Sequence, residues 1–268
     1  MQMPMVPMVV LKKRDGTNKQ VISISSSSFC VSCLYIFSNL STTNWLLQTA
    51  SFHLTHSPTR FEKVVRGLSE EHKAVVKDMG FGRLLRMPKM SIRKIMIKDV
   101  AKTYQVSNQC FKICDQDITI YPEDVRDIMG LGIEGADVDE YVEQTKTSEE
   151  KTVETQLFKR YADANHKLEL RNLESMIRDS KTPDDDFKRA FVFFTIGVIL
   201  APNTQPHVNY SYIQAVEHVS LIRKFNWGQF TLTHLLNSCH TYITQKEATL
   251  KGNLALLQVS SIWYNQHL

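Results

Sequence analysis

The sequence predicts a mainly α protein: a multi-helix globular domain with a small β-hairpin over residues 58–268, preceded by a poorly ordered extension over residues 1–57. Three observations predict it. After Pro58, apolar residues recur at intervals of three and four, the period of an amphipathic helix. Residues 190–201 are apolar on every side and end at Pro202. That run is too short to span a bilayer and reads as a central buried helix. Residues 1–60 instead hold 16 Ser or Thr, lack any charge between Gln20 and Thr59, and show no sustained period.

The elements follow in order. Residues 61–79 predict a helix, with Phe61, Val64, Val65, Leu68, Val75 and Val76 between charged positions, stopped by Gly80 and Gly82. Ser91 is the expected N-cap of a helix over 92–104. Its inner face is Ile92, Ile95, Met96, Val100 and Tyr104, and its outer face carries Lys94, Lys98 and Lys102 at i, i+4 and i+8. Residues 110–114 and 118–120 alternate around the polar Asp115-Gln-Asp117 and predict the hairpin. Pro122, Glu123, Asp124 and Gly130 punctuate a short helix. Residues 137–150 hold six acids and one lysine, and read as a solvated acidic linker or loop.

Residues 151–180 form one or two charged helices, with Val153, Leu157, Phe158, Tyr161, Leu168, Leu173, Met176 and Ile177 inward. Thr182-Pro-Asp-Asp-Asp186 starts the central helix. Asn226 caps a helix over about 227–245 that buries Trp227, Phe230, Leu235, Cys239 and Tyr242. A last apolar helix covers 250–268. The expected core is Phe191, Phe194, Ile196, Ile199, Trp227 and Phe230.

Composition excludes several function classes. At 268 residues, 43% hydrophobic and 22% charged, the chain is ordinary globular protein. A net charge of +4 is too mild to imply nucleic-acid binding by itself, so charge matters locally. Five cysteines are an odd number and too few for a disulfide framework, which fits a reducing compartment. Lys12, Lys13 and Arg14 precede an apolar run over 21–40, but serines interrupt it, and no membrane or secretory role is expected.

No residue set makes an active site, and neither an enzyme nor a cofactor is expected. Cys30-Val-Ser-Cys33 has zinc half-site spacing, but the second ligand pair that a structural zinc needs is missing. A redox reading needs a βαβ setting, also missing. His234 and Cys239 lie about 140° apart around one helix and diverge, so they do not form a nucleophile–base pair. There is no Walker or G-x-G-x-x-G motif.

The sharpest functional signal is basic. Arg83, Arg86, Lys89, Arg93, Lys94, Lys98 and Lys102 stand against Asp99 alone between residues 83 and 102. Arg93, Lys94, Lys98 and Lys102 are the candidate nucleic-acid-binding residues. They would follow a phosphate backbone nonspecifically by releasing counterions. The aromatic interleaving of single-strand binders is absent.

Five blocks, in order, resemble the plant mobile domain family, also called aminotransferase-like plant mobile domain. They are Gly80-Phe-Gly-Arg-Leu-Leu85, Ile118-Thr-Ile-Tyr-Pro-Glu-Asp-Val125 with Met129-Gly-Leu131, residues 187–202, Asn226-Trp-Gly-Gln-Phe230, and Lys251-Gly-Asn-Leu-Ala-Leu-Leu-Gln258. The resemblance covers about residues 75–268. Tyr121 stands where the family-like helix start carries a hydroxyl cap, a departure costing about 1 kcal/mol.

The resemblance implies a transposon-derived, non-enzymatic interaction module of the nucleus, acting through protein partners in gene silencing or meristem maintenance. The second reading is a nucleic-acid-binding fragment of a transposon-encoded protein. A third reading is the N-terminal portion of a ubiquitin-like-protein cysteine protease lacking its catalytic domain. The "aminotransferase" of the family name has no counterpart in the residues, because no phosphate-cradling loop or Schiff-base lysine stands out.

Overall fold

The computed structural model describes residues 57–113, 116–145, 156–163, 167–247 and 249–266. The extension over 1–56, with Cys30 and Cys33, lies outside the described residues, as do Cys114 and Val153. Within the described residues the chain is mainly helical with two small antiparallel sheets.

Helix α1 (Pro58–Arg66) starts where Ser57 Oγ accepts from the Arg60 N–H at 3.2 Å and Pro58 fills the first position. It ends at Gly67, and Ser69 caps a separate α2 (Glu70–Val76). The predicted continuous helix over 61–79 is therefore two. Gly67 is a poor helix former, and the Ser69 hydroxyl offers the His72 N–H a competing bond at 3.3 Å. A π-turn, Lys77–Phe81, continues α2 until Gly80, at φ 93°, stops it as expected.

Helix α3 (Lys94–Lys102) begins later than predicted, with Arg93 rather than Ser91 at the N-cap position. Its buried face is Met96, Ile97, Val100 and Ala101, and Ile95 is 64% exposed, not inward. Two apolar stripes competed here. The one through Ile95 runs into Asp99, whereas the one through Met96 and Ile97 continues to Val100, Ala101 and Tyr104.

Strands β1 (Tyr104–Gln105), β2 (Cys110–Ile113) and β3 (Gln116–Ile118) form one sheet in that order. The predicted hairpin is present, with β1 added. Ile113 pairs with Gln116, so Gln116 and Asp117 belong to β3 instead of the turn.

Helix α4 (Pro122–Met129) closes at Gly130, in the left-handed conformation at φ 67°. Tyr121 supplies no side-chain cap, but Asp124 accepts the Tyr121 N–H at 2.8 Å.

Residues 138–145 correct the expected acidic linker: they form helix α5 (Val138–Thr145). Asp137 accepts the Glu140 N–H at 2.9 Å, and two more acids occupy the first turn, where the helix dipole favours them. Val138 and Val142, one turn apart, are buried, and Tyr141 packs edge-on against Phe225. So narrow an apolar stripe is invisible beneath so much charge. Residues 146–150 lie outside the described residues.

Helix α6 (Gln156–Tyr161) leads to β4 (Leu168–Glu169), which pairs with β5 (His207–Val208). Helix α7 (Leu170–Asp179) packs along α8 (Asp185–Thr195). The cap of α8 is Asp184, accepting from the Phe187 N–H at 2.9 Å, two residues after the predicted Thr182. A π-turn, Ile196–Leu200, carries α8 to Pro202. The chain then passes through a 3₁₀ turn (Tyr210–Tyr212), α9 (Ile213–Glu217) and a second 3₁₀ segment (Val219–Lys224). Helices α10 (Trp227–Thr244) and α11 (Leu254–Gln266) complete the described chain.

All six predicted core residues are buried. Phe61, Phe81, Phe191, Phe194, Trp227 and Phe230 form a continuous aromatic chain with centroid separations of 5.6 to 6.3 Å. This core sits at the middle of the domain. Helix α3 lies at its margin, packed on α10, α11 and β2.

Candidate interaction surface

The four residues singled out by charge lie together at α3. Arg93, Lys94 and Lys102 are exposed and Lys98 is half-buried. At about 100° per residue, Lys94, Lys98, Lys102 and Ile95 fall within about 100° of arc, opposite the buried face. Asp99 closes the edge of this arc and binds Lys102 Nζ at 2.8 Å, a bond that raises the lysine's pKa. One of the stripe's charges is thereby offset locally.

The start of α3 is held from far along the chain. Gln258 on α11 accepts the Arg93 N–H at 2.7 Å and donates to the Ser91 carbonyl at 3.2 Å. One amide side chain thus takes both polarities of the backbone where the helix lacks a cap of its own. Gln258 is itself buried.

Nothing in the sequence pointed to a second cluster. Asp139 of α5, Tyr212 and His234 of α10 converge at 3.2 to 3.3 Å from one another. Tyr212 donates to Asp139, and the His234 ring packs against Phe230 at 4.5 Å. Burial and the neighbouring carboxylate push the Tyr212 hydroxyl pKa far up, so it stays protonated as a donor. The three residues are far apart in sequence, which is why no motif shows them. They pin the acidic helix α5 to the core.

The two cysteines among the described residues are packed away from reagents. Cys110 and Cys239 are both buried, and burial pushes the Cys239 thiol up to about 12. His234 lies elsewhere, in the cluster just described. In native protein, alkylation with iodoacetamide followed by peptide mapping should leave Cys110 and Cys239 unmodified, and unfolding in urea should expose both. Modification of Cys239 at its unfolded rate under native conditions would contradict this packing.

A small cleft between α3, the three-stranded sheet and α11 is lined by Val100, Phe111, Ile113, Ile118, Ile120, Leu257 and Ser260. Its cavity volume is about 10 Å³, room for about one water molecule rather than a ligand. Ser260 Oγ, without a hydrogen-bond partner, is the one polar side chain here. Among the described residues, no three His, Cys, Asp or Glu side chains are grouped to hold a metal ion. Among them, too, no helix is long and apolar enough to cross a membrane.

The sequence blocks quoted above serve the architecture. Asn226 Oδ1 accepts the Gln229 N–H at 2.8 Å while its Nδ2 donates to the Ile133 carbonyl at 2.7 Å. Gly228 lets the loop before α5 approach so closely that its N–H reaches the Gly132 carbonyl at 2.8 Å. Asn253 caps α11 through the Leu256 N–H at 2.8 Å. In the same block, Gln258 seats the basic helix.

A family model described as a domain of unknown function (DUF8566) matches residues 54–258. Protein MAIN-LIKE 2 of Arabidopsis thaliana is 26% identical over 200 residues, covering 71% of this chain. The chain spans 29% of that relative's length. No solved structure matches.

Proposed function

The chain belongs to the DUF8566 family, which its model covers over residues 54–258, and from that premise we propose that it is a non-enzymatic helical interaction module of plant-mobile-domain type. In this reading it acts in the nucleus through protein partners, in gene silencing or meristem maintenance. The similarity to MAIN-LIKE 2 and the order of the five blocks support the plant-mobile-domain assignment.

The observation that carries the interaction reading is the outer face of α3. Ile95, at 64% exposure, stands among Lys94, Lys98 and Lys102. An aliphatic side chain gains by being covered, and a partner able to cover it brings apolar groups of its own. Backbone bonds to the buried Gln258 side chain hold the start of this helix in place, so a partner meets it preformed.

Nucleic-acid binding is the second reading, favoured by the excess of basic residues between Arg83 and Lys102. Duplex DNA titrated at several salt concentrations separates the two. The interaction reading expects negligible duplex binding at physiological salt, with wild type and the triple variant Lys94→Gln, Lys98→Gln, Lys102→Gln alike. Firm binding by wild type overturns it, above all with a salt slope that flattens in the variant by about one unit per lost phosphate contact. Two of these lysines are exposed and the third is half-buried, so the variant should melt within a few degrees of wild type.

A further inference from the structure

We propose that Asp139, Tyr212 and His234 form a binding site for one divalent transition-metal ion of zinc type, which clamps helix α5 to the core. The site stands apart from the interaction-module reading and does not depend on it.

Three elements deliver the donors: α5 brings Asp139, the first 3₁₀ turn brings Tyr212 and α10 brings His234. Tyr212 Oη lies 3.3 Å from Asp139 Oδ1 and 3.2 Å from His234 Nε2, and His234 Nε2 lies 3.2 Å from Asp139 Oδ2. All three separations exceed the commonest hydrogen-bond lengths, about 2.7–2.8 Å for O–H···O and about 2.9–3.0 Å for N–H···O. They match the edges of a coordination shell instead. With metal–donor bonds of about 2.1 Å, neighbouring ligands stand about 3.0 Å apart in an octahedron and about 3.4 Å apart in a tetrahedron.

The donor set selects the class of ion. Carboxylate and imidazole are ordinary zinc ligands, and a tyrosine oxygen ligates iron in some haem proteins. Imidazole nitrogen disfavours magnesium and calcium. Only two of the donors are of the His, Cys, Asp or Glu types, in keeping with the absence of any cluster of three of those among the described residues.

Without metal, the Tyr212 O–H is shared with the carboxylate. Binding rearranges the protons. His234 keeps its ring proton on Nδ1, which has no hydrogen-bond partner among the described residues, and offers the Nε2 lone pair to the ion. Tyr212 exchanges its O–H bond for an O–metal bond and releases one proton to solvent. The charge of the ion offsets the burial and the carboxylate that otherwise keep this hydroxyl protonated.

Access and rigidity are both present. The side chains of Asp139 and His234 are 45% and 32% exposed, so an ion can enter and keep water as a further ligand. Tyr212 is buried, and its ring and that of His234 both pack edge-on against Phe230, at 5.4 and 4.5 Å. One shared support thus fixes two donors. The loop leading into α5 has G-x-G-x-x-G spacing at Gly130, Gly132 and Gly135, correcting the sequence reading, which finds none. It joins two helices and packs on Lys224 and Gly228 instead of opening as a phosphate cradle.

The test is calorimetric titration of the metal-free full chain with zinc chloride. The protein carries Cys30→Ser and Cys33→Ser, so that the C-x-x-C pair cannot compete. One equivalent should bind, with heats that differ between buffers because a proton is released. Magnesium chloride should give no binding. Asp139→Asn and His234→Ala should each weaken zinc by more than about tenfold, and Tyr212→Phe should weaken it and abolish the proton release. Hydrogen exchange needs no variant at the site: zinc should slow exchange of the α5 amides and leave those of α3 unchanged. If a variant proves unfolded by circular dichroism, the exchange result decides.

Absence of zinc binding overturns the proposal, as does binding that survives both Asp139→Asn and His234→Ala. Equal binding of magnesium overturns the ion class. Zinc binding with no slowing of exchange in α5 places the ion elsewhere and leaves the three residues as a hydrogen-bonded pin alone.

Discussion

Replacing Trp227 by alanine should destabilise the domain by about 3–5 kcal/mol, the range for deleting a large buried aromatic. The indole is 2% exposed and meets Phe81, Phe225 and Phe230 at centroid distances of 5.6 to 5.8 Å. Its Nε1 donates to the Ile222 carbonyl at 2.7 Å inside the core. Alanine removes the packing and orphans that carbonyl together. Trp227→Phe separates the two effects: it keeps most of the apolar volume and loses the hydrogen bond, for about 1–3 kcal/mol. Small domains are stable by only about 5–15 kcal/mol, so the alanine variant should unfold at much lower urea. Urea titrations by circular dichroism measure both. Equal midpoints for wild type and Trp227→Ala would show that the aromatic chain through Trp227 does not hold the domain together.

Gly135→Ala should be comparably harmful for a different reason. Gly135 sits at φ 105°, a conformation that L side chains rarely adopt, and a Cβ there would lie 1.9 Å from the Lys224 carbonyl oxygen. The neighbouring bonds are Ala136 N–H to the Lys224 carbonyl at 3.0 Å and Asn226 N–H to the Ala136 carbonyl at 2.8 Å. They lash the loop before α5 to the start of α10. A methyl group forces that loop away, at a cost of about 2 kcal/mol in backbone strain before lost hydrogen bonds are added. Gly132→Ala is the control in the same loop. Its Cβ would find its nearest neighbour at 3.9 Å, an ordinary contact, and the change should stay within about 0.5 kcal/mol. Differential scanning calorimetry of the pair should show a large drop for Gly135→Ala alone. Equal melting temperatures would contradict the clash.

Strong local signals were legible in the sequence. Asn226 reads as a cap and is one, because its side chain bonds only three residues ahead. The run over 190–201 reads as central and is wholly buried up to Leu200, because its one polar residue, Thr195, satisfies its hydroxyl within the helix on the Phe191 carbonyl at 2.6 Å. Helix α5 was not legible, because two valines and a tyrosine carry its burial beneath a majority of acids. The face of α3 was misassigned at Ile95 because two stripes shared the same turn, and only the later Ile97 and Ala101 decide between them. The basic residues of the candidate surface were found from charge, and their helical spacing held. Its apolar member was missed, since exposure of a lone isoleucine is set by what packs beneath its helix. The Gln258 bonds to Ser91 and Arg93 were beyond reach too, as they join residues more than 160 positions apart.

That last link also bears on the order in which the molecule comes into being. Helix α3 leaves the ribosome long before Gln258, α10 and α11 exist to receive it, and contacts across such separations form late. The growing chain therefore carries a basic, partly apolar segment with no seat until synthesis has passed residue 258. Its surface takes its final shape only when the C-terminal helix arrives. A message or a copy interrupted before that point yields a chain in which this segment is present in sequence but never assembled.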